Sequence, residues 1–395
     1  MKRIRSFAAA ALAAAVLTAC SSGPPPANPP PATPPAPTSA AASSTPSTAP
    51  PADCVTATLD RLSMKERVGQ LLMVGTSVNA PDELGDAVSR YHLGGVFLHG
   101  RSTHRASVLR SDIDRLQRRA ALPLLISLDQ EGGSVQTLKG PDFPIIPSAV
   151  RLGAGPPATL RQATADSARR LSGIGVTLNL APVADTVPAS LGRGNPPIGG
   201  FRRQYGSDPA RVAAAIRTVV PASQDAGVLT VLKHFPGLGR VRANTDVSDD
   251  AVDDVATVTD TYLEPFATGI EAGSAAVMMS SASYPRLDRT AIAAFSQPIV
   301  TGLLRDRLGF RGLIMSDDLG AGVAVSAVPP GQRAVRFVAA GGDLVLTIRP
   351  RDAAPMGEAL LDKAEKDQAF RARVTDAARH VLQAKQRAGL LPCGR

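Results

Sequence analysis

Val228-Leu229-Thr230-Val231-Leu232-Lys233-His234-Phe235-Pro236-Gly237-Leu238-Gly239 is the stretch on which the fold turns. Its first five residues form a short, almost wholly apolar run, the pattern of a strand buried on both faces. The run ends abruptly in a cation and an imidazole and then turns through Pro-Gly-x-Gly. A strand built this way delivers polar groups to the rim of a sheet, where α/β proteins usually carry their chemistry. The bland alternative is a Gly/Pro turn that happens to hold polar residues.

The same rhythm extends in both directions. Comparable apolar runs occur at Val68–Gly75, Gly95–Leu98, Leu124–Leu128, Val176–Leu180, Ala275–Met279, Leu313–Met315 and Gly342–Thr347. Between them lie helical patterns such as Ala106–Arg119, Pro156–Ile174, Pro209–Ala226 and Val258–Ala272. Eight buried strands separated by helices predict an α/β protein, a single (β/α)8 barrel of the TIM type, and the chain from residue 54 onward has a suitable length. An open doubly wound sheet is the competing arrangement. It would usually carry a glycine-rich phosphate loop after its first strand, and Gly69-Gln70-Leu71-Leu72 is no such loop. Phe370–Ala388 reads as a basic amphipathic closing helix whose charges form a solvated face.

Polar residues follow four of these runs in one register: Asp129-Gln130-Glu131-Gly132-Gly133, Ala181-Pro182-Val183-Ala184-Asp185, Lys233-His234 and Ser316-Asp317-Asp318-Leu319. One acid after a strand is a common helix cap. Four polar strand ends together favour an enzyme at the barrel mouth over a passive scaffold.

The chain begins differently. Lys2, Arg3 and Arg5 precede an Ala-rich apolar segment, Phe7–Val16, and then Leu17-Thr18-Ala19-Cys20. The apolar segment is too short to span a bilayer, so residues 1–19 are expected to be a signal peptide. Its last residues resemble a bacterial lipobox, which implies export and lipidation of Cys20, with acyl chains holding the protein to the outer face of the cell membrane. An ordinary secretory signal with an incidental cysteine is the alternative. Residues 20–53 are dominated by Pro, Ala, Ser and Thr, which cannot build a core and favour an extended, disordered tether. Residues 54–395 are the expected catalytic domain. Besides Cys20, only Cys54 and Cys393 are present. No pair has metal-ligand spacing, so no metal is expected, and in an exported protein these two either form a disulfide stapling the ends or remain free thiols. The formal net charge is +9, three of those charges lying on Lys2, Arg3 and Arg5, and there is no tryptophan. Without a basic patch interleaved with aromatics, a nucleic-acid partner is not expected, whereas an anionic envelope polymer suits the charge.

Taken together, Asp129-Gln130-Glu131-Gly132-Gly133, Lys233-His234-Phe235-Pro236-Gly237 and Met315-Ser316-Asp317-Asp318-Leu319 resemble the bacterial β-N-acetylglucosaminidases of glycoside hydrolase family 3, over the whole folded region. The lipobox, the tether and Asn244-Thr245-Asp246 bring the lipoprotein branch of high-GC Gram-positive bacteria closest. The resemblance implies that Asp317 is the nucleophile of a retaining mechanism, with Asp318 as its competitor or a helix cap. It implies that Asp129, Lys233 and His234 bind sugar hydroxyls, and that the arginine of a substrate loop is Arg203, with Arg202 as the alternative match. His234 as a purely structural histidine is the other reading.

The departure from the family pattern falls beyond Gly237. Where the family has an Asp-Ser-His whose histidine is the acid/base, this chain has Asn244-Thr245-Asp246, and none of its five histidines lies in that loop. Either Asp246 takes the role, with a pKa raised by burial or by Asp317, or it caps the loop and the acid/base lies elsewhere. The expected function is release of terminal N-acetylglucosamine from peptidoglycan fragments through a glycosyl-enzyme intermediate, by a monomer with no cofactor. A β-glucosidase or phosphorylase on the same barrel, and an inactive muropeptide-binding lipoprotein, are the rival readings.

Overall fold

The computed structural model describes residues 53–391. Residues 1–52, with the expected signal peptide, Cys20 and nearly all of the tether, lie outside the described residues, as does Cys393.

Eight strands close into a parallel barrel: β1 (Leu72–Ser77), β2 (Gly95–His99), β3 (Leu125–Leu128), β4 (Leu178–Asn179), β5 (Leu229–Phe235), β6 (Ala276–Met279), β7 (Leu313–Asp318) and β8 (Leu344–Thr347). Each pairs with its sequence neighbours, and β8 returns to β1. The expected (β/α)8 barrel is therefore the fold. Alternation along each strand divides the apolar residues between two cores. Met73, Leu125, Leu229, Val231, Met278, Leu313, Met315 and Leu344 belong to the core inside the barrel. Val74, Val96, Ile126, Leu232, Val277, Ile314 and Val345 face the surrounding helices.

Three boundaries differ from the sequence pattern for local physical reasons. Val68–Gln70 is helical, not extended, because Met64–Gln70 forms a helix started by a capping box between Ser63 and Glu66. The barrel strand begins only at Leu72. Of Val258–Ala272, only Glu264–Glu271 is α-helical, preceded by a 3-10 turn, Thr261–Leu263, that Asp260 caps by accepting the Tyr262 N–H. The closing helix spans Gln368–Arg387 and is capped by Asp367. Its charges are not all solvated. Lys385 is fully buried and donates to Gln70 Oε1, while Arg373 and His380 turn inward onto Asp343, which also accepts from Arg305. This buried carboxylate ties the helix to the N-terminal end of β8. Cys54 is disulfide-bonded.

Candidate active site

The C-terminal ends of the strands surround a cavity of about 250 Å³ that Asp129, Arg203, Lys233, His234, Asp246 and Asp317 all line. Ligand pockets commonly measure roughly 300–1,000 Å³, so this one suits a ligand the size of a single sugar ring. Phe97, Leu180, Met278 and Leu346 give it an apolar floor.

Each polar group arrives at the mouth through its strand. On β7, Leu313 and Met315 point inward and Ile314 outward. Past Met315 the pairing of this strand with β8 shifts register, and Asp317 and Asp318 both line the cavity. Hydrogen bonding is what separates the two acids. Asp318 Oδ1 accepts the backbone N–H groups of Gly320 and Ile348 (2.8 and 2.9 Å), and Oδ2 accepts that of Ala321 (2.8 Å). Its carboxylate is spent on shaping the loop. Asp317 Oδ1 accepts only the Asp318 N–H (2.8 Å), and among the described residues no side chain donates to it. Of the pair, Asp317 is the one with a carboxylate available for a ligand.

On β5, Lys233 and His234 are both buried, and the peptide between them is cis. Lys233 Nζ lies 2.6 Å from Asp129 Oδ1 and 2.6 Å from Glu131 Oε1. Arg203 clasps the same Glu131 through Nε (2.8 Å) and Nη2 (2.7 Å). The result is an alternating chain, Arg203–Glu131–Lys233–Asp129, in which every buried charge faces its opposite. Burial of Glu131 opposes its ionisation, but Arg203 and Lys233 overcome this and hold its carboxyl at about 2. Burial pulls Lys233 down, yet Asp129 and Glu131 leave its pKa raised. Both groups are thus fixed in their charged forms. The two candidate arginines are placed differently. Arg202 is exposed in the left-handed region (φ 59°), whereas Arg203 lines the cavity.

His234 is not an isolated core residue. Its Nδ1 lies 2.8 Å from Oδ2 of the fully buried Asp185, and Nε2 lies 3.5 Å from Arg203 Nη2. A carboxylate only accepts, so Nδ1 carries a proton. Asp185 Oδ1 also accepts the N–H groups of His234 (3.2 Å) and Leu238 (2.7 Å), which locks the turn to the strand. The glycines here answer to geometry: Gly237 has φ 137°, and a Cβ on Gly239 would stand 1.7 Å from the Thr186 carbonyl oxygen.

Asp246 sits across the cavity on the loop after β5, exposed to solvent. Burial pushes the Asp317 carboxyl up, His234 pulls it down, and the charge of Asp246 pushes it up again. The upward push on Asp317 comes first from its burial at the end of β7. Glu131 and Asp185 are the site residues that motif reading passed over. Both stood at polar strand ends, but only tertiary contact shows that they pair with Arg203, Lys233 and His234.

Two carboxylates facing a shared cavity, beside a fixed array of donors and acceptors suited to hydroxyl groups, define a glycoside hydrolase barrel. Residues 63–384 match the Glycosyl hydrolase family 3 N terminal domain, and the chain belongs to that family. It is 36% identical over 287 residues to a beta-hexosaminidase of Xanthomonas oryzae pv. oryzae, covering 70% of this chain and 82% of that relative. Among solved structures, it resembles the beta-N-acetylhexosaminidase of Beutenbergia cavernae DSM 12333 (TM-score 0.81, 44% identity, 82% of this chain and 99% of the other). M tuberculosis LpqI is also similar (TM-score 0.71, 26% identity, 85% and 96%). The chain is thus a glycoside hydrolase of the β-hexosaminidase type, acting on carbohydrate.

Proposed function

We propose that this enzyme removes a terminal β-linked N-acetylglucosamine from cell-wall fragments by a retaining mechanism, with Asp317 as nucleophile and Asp246 as acid/base. The observation that carries the reading is the division of labour at the end of β7, where both acids line the cavity but Asp318 is consumed by three backbone N–H groups while Asp317 accepts only one. The sugar docks with its hydroxyls on Asp129, Lys233, Arg203 and His234 and its apolar face on the cavity floor. Asp317 then attacks the anomeric carbon. The bond to the leaving oxygen breaks as that oxygen takes a proton from Asp246. In the second step Asp246 accepts a proton from water, whose oxygen displaces Asp317 from the anomeric carbon.

The two acids stand in different surroundings. Asp246 is exposed in the free protein. A leaving group seated over it meets its carboxyl directly, while His234 favours ionised Asp317. The lipobox and proline-rich tether support export, attachment through Cys20 to the outer face of the cell membrane, and work as a monomer on peptidoglycan fragments near that surface.

Asp317→Asn is expected to lower kcat/KM on 4-nitrophenyl N-acetyl-β-glucosaminide by at least about 10³-fold, the scale of losing a covalent nucleophile. A mechanism-based 2-fluoro sugar should label Asp317 in the unaltered enzyme. Full activity of the variant, or a label elsewhere, would overturn the assignment. Comparing products with and without inorganic phosphate separates hydrolysis from phosphorolysis.

A further inference from the structure

We infer that Arg240 is a positioning residue for Asp246, closing the base of the loop that carries the acid/base. The inference rests on the role given above to Asp246.

Asp246 has no side-chain anchor among the described residues. Its backbone N–H donates to Asn244 Oδ1 (3.1 Å), and its carboxylate projects into solvent and the cavity. Its location in the cavity it shares with Asp317 is therefore set by the path of the backbone. That path is held at the tip and at the base. At the tip, the Asp246 carbonyl accepts the Val323 N–H (3.3 Å) and the Thr245 carbonyl accepts the Ala324 N–H (3.1 Å). These bonds join the loop to the one that follows the nucleophile.

At the base, one guanidinium spans the two ends of the excursion. Arg240 leaves the turn immediately after Gly239. Its Nε donates to Asp253 Oδ2 (2.7 Å), its Nη2 donates to Asp260 Oδ2, and its plane lies 4.2 Å over the Tyr262 ring. Both carboxylates have their other oxygen engaged. Asp253 Oδ1 accepts the Val255 and Ala256 N–H groups, and Asp260 Oδ1 accepts that of Tyr262. Asp253 is further fixed by its own N–H donating to the Ser283 carbonyl (3.0 Å). The fork thus ties residues 241–252 into a closed loop against rigid supports.

An exposed ion pair would contribute little. Here the acid side chains are only 2% and 11% exposed, and the planar fork engages both at once, which a lysine cannot reproduce. Asn195 secures the entry strand from the opposite side, donating to the Leu238 and Val241 carbonyls (2.8 Å each), but it leaves the return strand untouched. Arg240 is the residue that joins entry to return. A displacement of about 1 Å at a catalytic group is enough to cost roughly 10²-fold in rate. Loss of Arg240 should therefore weaken protonation of the leaving group without altering sugar binding below it.

Leaving-group dependence separates this role from a merely structural one. In the full chain, kcat/KM is measured for Arg240→Gln and Asp246→Ala on phenyl and 2,4-dinitrophenyl N-acetyl-β-glucosaminides. The phenyl compound needs its leaving oxygen protonated, and the dinitrophenyl compound does not. Arg240→Gln is expected to lose about 10²-fold on the phenyl substrate and to change little on the dinitrophenyl one, as loss of general-acid assistance does. Asp246→Ala should show the same selectivity. Asp260→Asn keeps the cap on Tyr262 while weakening the clasp, and should show it in smaller measure; it carries the test if Arg240→Gln does not fold. Equal losses on both substrates, or none, would overturn the role of Arg240 while leaving Asp246 in place. Absence of selectivity in Asp246→Ala would remove the acid/base reading and this inference with it.

Discussion

Replacing Glu131 by Gln is the sharpest probe of the charge chain beneath the sugar site. Glutamine keeps the shape but leaves Arg203 and Lys233 with one carboxylate fewer. The drop in the Glu131 pKa from the usual 4.5 to about 2 corresponds to about 3 kcal/mol of preference for the charged form in the folded protein. That agrees with the roughly 3–5 kcal/mol lost when one partner of a buried ion pair is removed. The sign with pH follows from linkage. The folded carboxyl binds its proton less readily than the unfolded one, so its stabilisation is complete above about pH 4.5 and is lost as the pH falls toward about 2. Urea unfolding followed by circular dichroism should therefore show the variant about 3 kcal/mol less stable at pH 7, with the gap narrowing below pH 4.5. Because Lys233 and Arg203 lose their common anchor, KM should rise as well. A gap under about 1 kcal/mol at pH 7, or one indifferent to acid, would refute the picture of a carboxylate held charged by its two neighbours.

Asp318→Ala orphans three backbone N–H groups and should cost about 3 kcal/mol by the same unfolding assay, while a 2-fluoro sugar still labels Asp317; a label lost together with Asp318 would reverse the two roles. Burial holds the Lys385 pKa down to about 7. The unfolded chain therefore binds the extra proton, and stability should rise with pH between about 7 and 10.5. Lys385→Met should raise stability at neutral pH and abolish that slope, and an unchanged slope would speak against a neutralised lysine. The acid limb of kcat/KM should lie above the ordinary aspartate range, because burial and Asp246 raise the Asp317 pKa. Asp246→Asn, assayed on the dinitrophenyl substrate, should move that limb to lower pH, since the repelling charge is gone.

How much of this was legible beforehand depended on the range of the forces involved. The barrel strands announced themselves because strands covered on both faces need continuous apolar runs, and the pattern located seven of the eight starts to within a few residues. It failed at Val68, where a capping box local to Ser63 and Glu66 turned an apolar segment into a helix. It also misjudged Lys385, since helical periodicity ranks a lysine as solvent-facing and carries no information about Gln70, far away in the chain. At the mouth, Asp129, Lys233, His234 and Asp317 were readable because each stands at the end of a recognisable strand.

The sequence by itself determined the barrel, the strand-end residues that line its mouth and the family resemblance, since these depend on residue type and short-range period. Only the tertiary structure showed that Asp318 is held by three backbone N–H groups while Asp317 accepts one, and that Arg203 lines the cavity while Arg202 is exposed. It alone joined Glu131 and Asp185 to the site, and it showed the burial that raises the Asp317 pKa. Those outcomes depend on which groups share a desolvated space, and burial and charge pairing arise between segments that the chain brings together only on closing the barrel.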